Sequence, residues 1–235
     1  AGKSTLAKVI CGFVEEDQGE ILYKGESLKG QTINERSKSI GYVMQNPNQM
    51  ICKPMIYDEV ALALRLKGLP EAEIKQRVHE TLKVCGLYPM RNWPISALSY
   101  GQKKRVSIAA ILVASPELLI LDEPTAGQDF KHYTELMEFL KSLNEQGITI
   151  IMITHDMHLM LEYTNRSIVI ANGKLLADST PVNVLSNTFL VEQASLKETS
   201  LYTLAVKASL DSPEALTESF IDYDRRRREA CHQPC

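Results

Sequence analysis

Three short runs of this sequence contain the residue types that phosphate chemistry requires. Near the amino-terminal end stands Gly2-Lys3-Ser4-Thr5. Such a run closes a phosphate-binding loop: backbone N–H groups and the N-terminus of the following helix hold phosphate oxygens, the lysine reaches the terminal phosphates, and the serine hydroxyl ligates Mg²⁺. Leu98-Ser99-Tyr100-Gly101-Gln102 precedes a helical stretch, and further on Leu118-Leu119-Ile120-Leu121 runs into the carboxylates Asp122-Glu123. A second apolar run, Ile148 to Ile153, ends in Thr154-His155-Asp156. Taken singly, each has a plain structural reading, since apolar residues before a polar exit are what any buried parallel strand looks like. Their occurrence together, in this order, points to nucleotide phosphates.

Those side chains must be delivered by particular elements. Thr5 to Cys11 reads as the helix launched by the phosphate loop, and Gly19 to Tyr23 with Lys24-Gly25-Glu26 as strand and turn. Ser39 to Met44 is a short apolar strand that brings Gln45 to the C-terminal edge of the sheet, where open parallel sheets bind ligands. Between Gln45 and Ser99 the pattern turns helical: Asp58 to Lys67, stopped by Gly68 and Pro70, then Glu71 to Cys85, stopped by Gly86. In the second of these Ile74, Val78 and Leu82 make one apolar stripe. The C-terminal half returns to alternating helix and strand. Phe130, Tyr133, Leu136, Met137, Leu140 and Leu143 mark an amphipathic helix ended by Gly147, and another helix follows His155. Asn172-Gly173, between Ser167–Ala171 and Lys174–Ala177, is a hairpin signal. Beyond about Asn187 the patterns weaken. Arg225 to Arg228 form a basic run that reads as a solvated tail, with anionic-lipid or partner binding as the alternative.

Composition narrows the class. With 235 residues, 44% apolar and 23% charged, the chain can bury its own core as one domain or two tightly joined lobes. No apolar run approaches the eighteen or so residues of a membrane span, so membrane contact is expected through a partner. Five cysteines, Cys11, Cys52, Cys85, Cys231 and Cys235, are scattered without zinc-type pairing and read as reduced thiols. A net charge of −3 argues against general nucleic-acid binding.

The order of these motifs resembles the ATPase subunit of ABC transporters, over Ala1 to about Leu185. The resemblance implies an α/β fold: a P-loop NTPase core with a mostly parallel sheet and an inserted helical lobe, the family's N-terminal antiparallel β lobe being largely missing. It implies an ATPase domain over 1–187, with 46–98 as the helical lobe, and a C-terminal extension over 188–235. It also implies that the chain starts inside its own phosphate loop, after that loop's first glycine. In family terms Gly2, Lys3, Ser4 and Thr5 look like the Walker A end, Gln45 the Q-loop, and Leu98 to Gln102 the signature. Asp122 and Glu123 look like Walker B with its catalytic glutamate, Ala126 to Asp129 the D-loop, and His155 the switch histidine. Two departures stand out: Tyr100 where the signature usually has glycine, and Gly127-Gln128-Asp129 in the D-loop.

A finer resemblance is to the ATPases of energy-coupling-factor transporters. It rests on Gln45-Asn46-Pro47-Asn48-Gln49-Met50, on Tyr57-Asp58-Glu59-Val60-Ala61-Leu62-Ala63-Leu64, on Gly101 to Ala109, and on Leu119 to Gly127. These importers supply vitamins and transition-metal ions. The cofactors implied are ATP and Mg²⁺. Phosphoryl transfer to water needs charge compensation and a placed nucleophile, with little covalent work by the protein. Lys3 would neutralise phosphate charge, Ser4, Asp122 and Gln45 would serve Mg²⁺, Glu123 would act as general base and His155 would contact the γ-phosphate. Leu98, Ser99, Gly101, Gln102 and Asp129 would serve nucleotide binding, the signature opening a helix whose N–H groups suit a γ-phosphate in a second, facing ATPase module. The expected partners are that second module, a transmembrane coupling subunit meeting Gln45 to Val60 with its acidic pair Asp58 and Glu59, and a substrate-binding membrane subunit. This places the protein peripherally on the cytoplasmic face of the membrane. Two other readings remain: a soluble ABC ATPase acting in translation or DNA repair, which usually carries coiled-coil, zinc or basic insertions, and a small-molecule P-loop kinase, which leaves Leu98 to Gln102 without a role.

Overall fold

The computed structural model describes residues 2–126, 130–196, 200–208 and 212–231. The chain forms two compact units, one over Ser4–Ile153 and the other over Thr154–Cys235 together with Ala1–Lys3.

Helix α1 (Lys3–Ile10) leads into the first unit. Its Ala7, followed by Cys11, packs with Leu28, Ile40, Leu118, Ile120 and Ile153 into one apolar core. Strands β1 (Leu22–Tyr23) and β2 (Glu26–Ser27) pair antiparallel. Lys24 and Gly25 between them have φ of 52° and 85°, the two left-handed residues that a tight hairpin with right-handed strand twist demands. Short helix α2 (Ile33–Arg36) is closed by a capping box between Thr32 and Glu35. The buried guanidinium of Arg36 donates to the Val9, Ile10 and Leu28 carbonyls at 2.8, 3.1 and 2.8 Å. It therefore adds a donor at the C-terminal carbonyls of α1, of which that of Val9 also receives the Gly12 amide at 3.0 Å, in a place where a cation is favoured by the helix dipole.

The site-bearing framework is a parallel sheet of β3 (Ile40–Val43), β4 (Leu118–Asp122) and β5 (Thr149–Ile153), in that spatial order. β4 is central and buried at every position, as its unbroken apolar run requires. Register pairs Val43 with Leu121 and Asp122 with Ile153, so the three strands finish together. Helices α3 (Ile56–Leu66) and α4 (Glu71–Val84) fill the stretch after β3. Both end where the sequence places its glycines. Gly68 and Gly86 adopt φ of 72° and 69°, and the following N–H groups reach back, Leu69 to the Leu64 carbonyl at 3.3 Å and Leu87 to Leu82 at 2.8 Å, a Schellman closure that L side chains resist. α5 (Tyr100–Leu112) packs against both α3 and α4. α6 (Phe130–Glu145) precedes β5, and Gly147 with Ile148 closes it in the same way.

The second unit holds α7 (Met157–Tyr163), the hairpin of β6 (Ser167–Ala171) and β7 (Lys174–Ser179), and helices α8 (Pro181–Ser186), α9 (Thr188–Gln193), α10 (Ser200–Lys207) and α11 (Pro213–Cys231). Asn172 and Gly173 carry φ of 50° and 72°, making the hairpin turn expected of them. Leu161, Leu185 and Ile221 form one core cluster of this unit, with Met157, Met160, Val182 and Leu196 against it. Among the described residues beyond Asn187, where the sequence shows little pattern, helix predominates. Asn187 caps α9 by accepting from the Leu190 amide at 3.1 Å, and α11 begins at Pro213. Arg225 to Arg228 fall within α11, which packs on α7 and α8 near Ile221. A helix tied down by so few apolar residues leaves no long stripe to read. Among the described residues no helix is long and apolar enough to cross a membrane.

Candidate functional site

Gly2, with φ of 86°, leads into α1, whose first three residues are Lys3, Ser4 and Thr5. The helix N-terminus and the lysine and hydroxyl side chains thus come from one turn, and no acidic residue lies in that turn to compete for an anion's place.

Asp122 is the last residue of β4 and Glu123 the first beyond it. Asp122 is 9% exposed, and its Oδ2 accepts a hydrogen bond from the Tyr42 hydroxyl on β3 at 3.0 Å. Burial and the Asp122 charge push the Tyr42 phenol well above its ordinary range, so it stays a donor. Glu123 turns the chain off the sheet with φ of 46°, a left-handed conformation uncommon for a side-chain-bearing residue. That turn is fixed at both ends: the Glu123 amide donates to the Ile153 carbonyl at 2.8 Å, and its carbonyl accepts from Ala126 at 3.3 Å. Two adjacent carboxylates with different backbone geometry leave the strand end in different directions.

Gln45 lies two residues past β3 and is exposed. The segment after it is shaped by Asn46, whose Oδ1 accepts from the Asn48 amide at 3.0 Å, opening the single 3-10 turn Pro47–Gln49. At its far end the chain is held by Glu59. This carboxylate is 5% exposed, and its Oε2 accepts from the amides of Cys52 and Lys53 at 2.8 and 2.7 Å. Here the structure corrects the reading of Asp58 and Glu59 as an equivalent surface pair. Asp58 is at the surface and pairs with Arg65 at 2.9 Å, whereas Glu59 is an internal anchor.

The signature opens α5 with a capping box. Ser99 Oγ accepts from the Gln102 amide at 3.3 Å, and Gln102 Oε1 accepts from the Ser99 amide at 2.9 Å. Leu98 is 6% exposed, so its side chain anchors the turn instead of facing a ligand. Gly101 lies in the first turn of α5. A cavity of about 220 Å³ is lined by Ser99, Gly101, Gln102 and Arg105 together with His132 and Glu135 of α6.

Lys104 is the residue that the sequence reading passes over. It is 1% exposed and donates to the Met44 and Gln45 carbonyls at 2.9 and 2.7 Å. Burial pulls its ammonium down to about 8, while the charges of Asp122 and Glu123 oppose that shift. Lys104 thus links the Gln45 backbone, which it contacts, to the charges of Asp122 and Glu123, which it feels. A signal existed, because Lys104, Ile108 and Leu112 share one face of α5 at four-residue spacing, and the other two are buried. A lysine on an apolar stripe asks for partners.

His155 lies in the second unit, just ahead of α7. Asp156 next to it caps that helix, its Oδ1 accepting from His158 and Leu159 at 2.9 and 3.2 Å, while its own amide donates to Thr154 Oγ1 at 2.9 Å. Asp129, with Gly127 and Gln128, lies outside the described residues.

Comparison with known proteins bears on this arrangement. The family model described as ABC transporter matches residues 1–126. The chain belongs to the ABC transporter family. Among proteins named as ABC transporter ATP-binding proteins, one of Clostridium perfringens is 63% identical over 97% of this chain, and one of Enterococcus faecalis is also 63% identical over 97%. The chain spans 40% of the length of each of these relatives. A solved structure, CbiO1 of Clostridium perfringens, described as part of the ABC transporter complex CbiONQ, is 33% identical with a TM-score of 0.76, covering 89% of this chain and 83% of that one.

For an ABC ATP-binding domain, the donor set suits Mg²⁺. Ser4 and Asp122 offer hard oxygen donors, and Gln45 an amide oxygen. Among the described residues no group of three or more His, Cys, Asp or Glu is placed to hold a metal by itself.

Proposed function

We propose that this chain binds and hydrolyses ATP as the nucleotide-binding part of an ABC importer, of the energy-coupling-factor type that takes up vitamins or metal ions. One observation carries this reading: Asp122 ends a buried central strand with Glu123 directly after it, and buried Lys104, which feels the charge of both, donates to the Gln45 carbonyl at 2.7 Å. The likeness to CbiO1 supports the transporter type. The reading assigns the ATPase domain to 1–187, its helical lobe to 46–98 and an extension to 188–235.

The chemistry assigned to these residues is hydrolysis of the terminal phosphoanhydride. Glu123 takes a proton from water as the water oxygen attacks the γ-phosphorus, the bond to the bridging β–γ oxygen breaks, and ADP leaves. Gly2, Lys3 and Thr5 with the N-terminus of α1 bind phosphate oxygens, and His155 orients the γ-phosphate. Ser4, Asp122 and Gln45 would hold Mg²⁺, with Tyr42 fixing the Asp122 carboxylate. Mg²⁺ would supply charge compensation to the phosphate oxygens. Ser99, Gly101, Gln102 and Asp129 serve the nucleotide of a facing ATPase module. Closure of two modules on ATP and reopening after hydrolysis is the two-state change that drives a membrane partner.

In this reading the protein sits peripherally on the cytoplasmic face of the membrane, and Gln45 to Val60 meets the membrane subunit. The test is co-purification with that subunit after Asp58→Lys, a surface change beside a single exposed ion pair. Assembly is expected to fall while basal ATP hydrolysis persists. Unchanged assembly removes this surface from the coupling role.

A further inference from the structure

Tyr100 stands where the family's signature usually has glycine, and the function proposed above gives it no role. Its hydroxyl donates to the Gln45 carbonyl at 3.3 Å. One helical turn later on the same face of α5, Lys104 donates to that oxygen at 2.7 Å and to the Met44 carbonyl at 2.9 Å. A carbonyl oxygen has two lone pairs, so both donors can be received at once. Gln45 lies beyond the last residue of β3, where the sheet ladder no longer fixes the backbone. Its position is thus set from α5.

A buried ammonium is an expensive way to fill space, because an apolar residue of similar volume would pack without the desolvation cost. Lys104 keeps its place by satisfying two carbonyls and by lying near Asp122 and Glu123. Glycine at position 100 could offer no side-chain donor. This chain has therefore added a second tie between the signature helix and its own Q-loop.

We propose that Tyr100 and Lys104 are positioning residues that clamp the Gln45 backbone to the signature helix, so that the Gln45 side chain is aimed at the reacting phosphate by the same element that meets the facing module's nucleotide. The proposal rests on the ATPase reading. It implies that a shift of the α5 N-terminus is passed to Gln45 within one chain, through hydrogen bonds to main-chain oxygens.

The experiment compares wild type with Tyr100→Phe, Lys104→Met and Lys104→Arg, each also made in a Gln45→Ala background, reading kcat and ATP affinity separately. The loss of one long neutral hydrogen bond in Tyr100→Phe is expected to lower kcat about threefold, and the loss of a charged donor in Lys104→Met about thirtyfold. ATP Kd should stay within about twofold in both, and Lys104→Arg should recover most of the rate. In the Gln45→Ala background the same changes should cost nothing further, since no side chain remains to aim. Wild-type kcat in Tyr100→Phe, or losses that persist undiminished without the Gln45 side chain, would overturn the clamp. If Lys104→Met does not fold, Tyr100→Phe decides alone. Amide exchange over Asn46–Met50 separates the two proposals: faster exchange in Tyr100→Phe supports the clamp and unchanged exchange opposes it, whereas a wild type that hydrolyses no ATP removes the functional reading instead.

Discussion

Glu59→Ala tests whether the loop after Gln45 is held from inside. The Glu59 carboxylate accepts two backbone amides at 2.8 and 2.7 Å from a position 5% exposed. Each hydrogen bond to a charged group contributes about 1.5–3 kcal/mol when its partner is removed. Cys52 and Lys53 are themselves exposed, so water can take over part of the acceptor's role, and the expected net loss is about 2–3 kcal/mol for the pair. For a unit of this size that corresponds to a fall in melting temperature of roughly 5–10 °C. Glu59→Gln keeps one neutral acceptor oxygen and should lie about midway. Asp58→Ala is the control: its pair with Arg65 is exposed on both sides and is worth at most about 1 kcal/mol. Thermal unfolding of the three variants, with amide exchange at Cys52 and Lys53, gives the answer. Should Glu59→Ala melt within a degree or so of Asp58→Ala, the buried-anchor argument is wrong.

Two further outcomes are expected. Tyr42→Phe removes the hydroxyl that Asp122 accepts at 3.0 Å and should raise the Mg²⁺ concentration for half-maximal hydrolysis about tenfold, as loss of a partner to a metal ligand usually does; a shift below twofold would show that Asp122 orients itself. Alkylation followed by peptide mapping at pH 8 should modify exposed Cys52 well before Cys11 and Cys85, which burial pushes up to about 11 and about 12; equal labelling of the three would contradict their placement.

The parts of the fold that the sequence made legible are those set by local rules. Gly68, Gly86 and Gly147 end helices because only their backbone closes the Schellman turn freely, and Asn172-Gly173 makes its hairpin for the same kind of reason. The apolar run Leu118 to Leu121 announced a buried parallel strand and placed Asp122 and Glu123 at its exit. What stayed hidden depends on which way one side chain faces. Glu59 follows Asp58 directly, and only the rotation of α3 makes one internal and the other external. Lys104 sits in Lys103-Lys104-Arg105, which looks like a solvated basic run until the face shared with Ile108 and Leu112 is considered. The helices beyond Asn187 were hidden because their buried residues, Val191, Ala205, Thr217 and Ile221, are few and spread over long intervals.

The central claim is that Glu123 activates the attacking water, and single-turnover phosphate release by Glu123→Gln under saturating Mg²⁺ and ATP tests it most directly. The substitution keeps the size of a side chain that leaves the sheet at φ 46°, its amide tied to Ile153, and removes only the capacity to take a proton. Hydrolysis should slow by at least about a hundredfold with ATP affinity retained, and the variant should accumulate as an ATP-bound dimer. Phosphate release within a few fold of wild type would contradict the assignment and, with it, the mechanism proposed for this site.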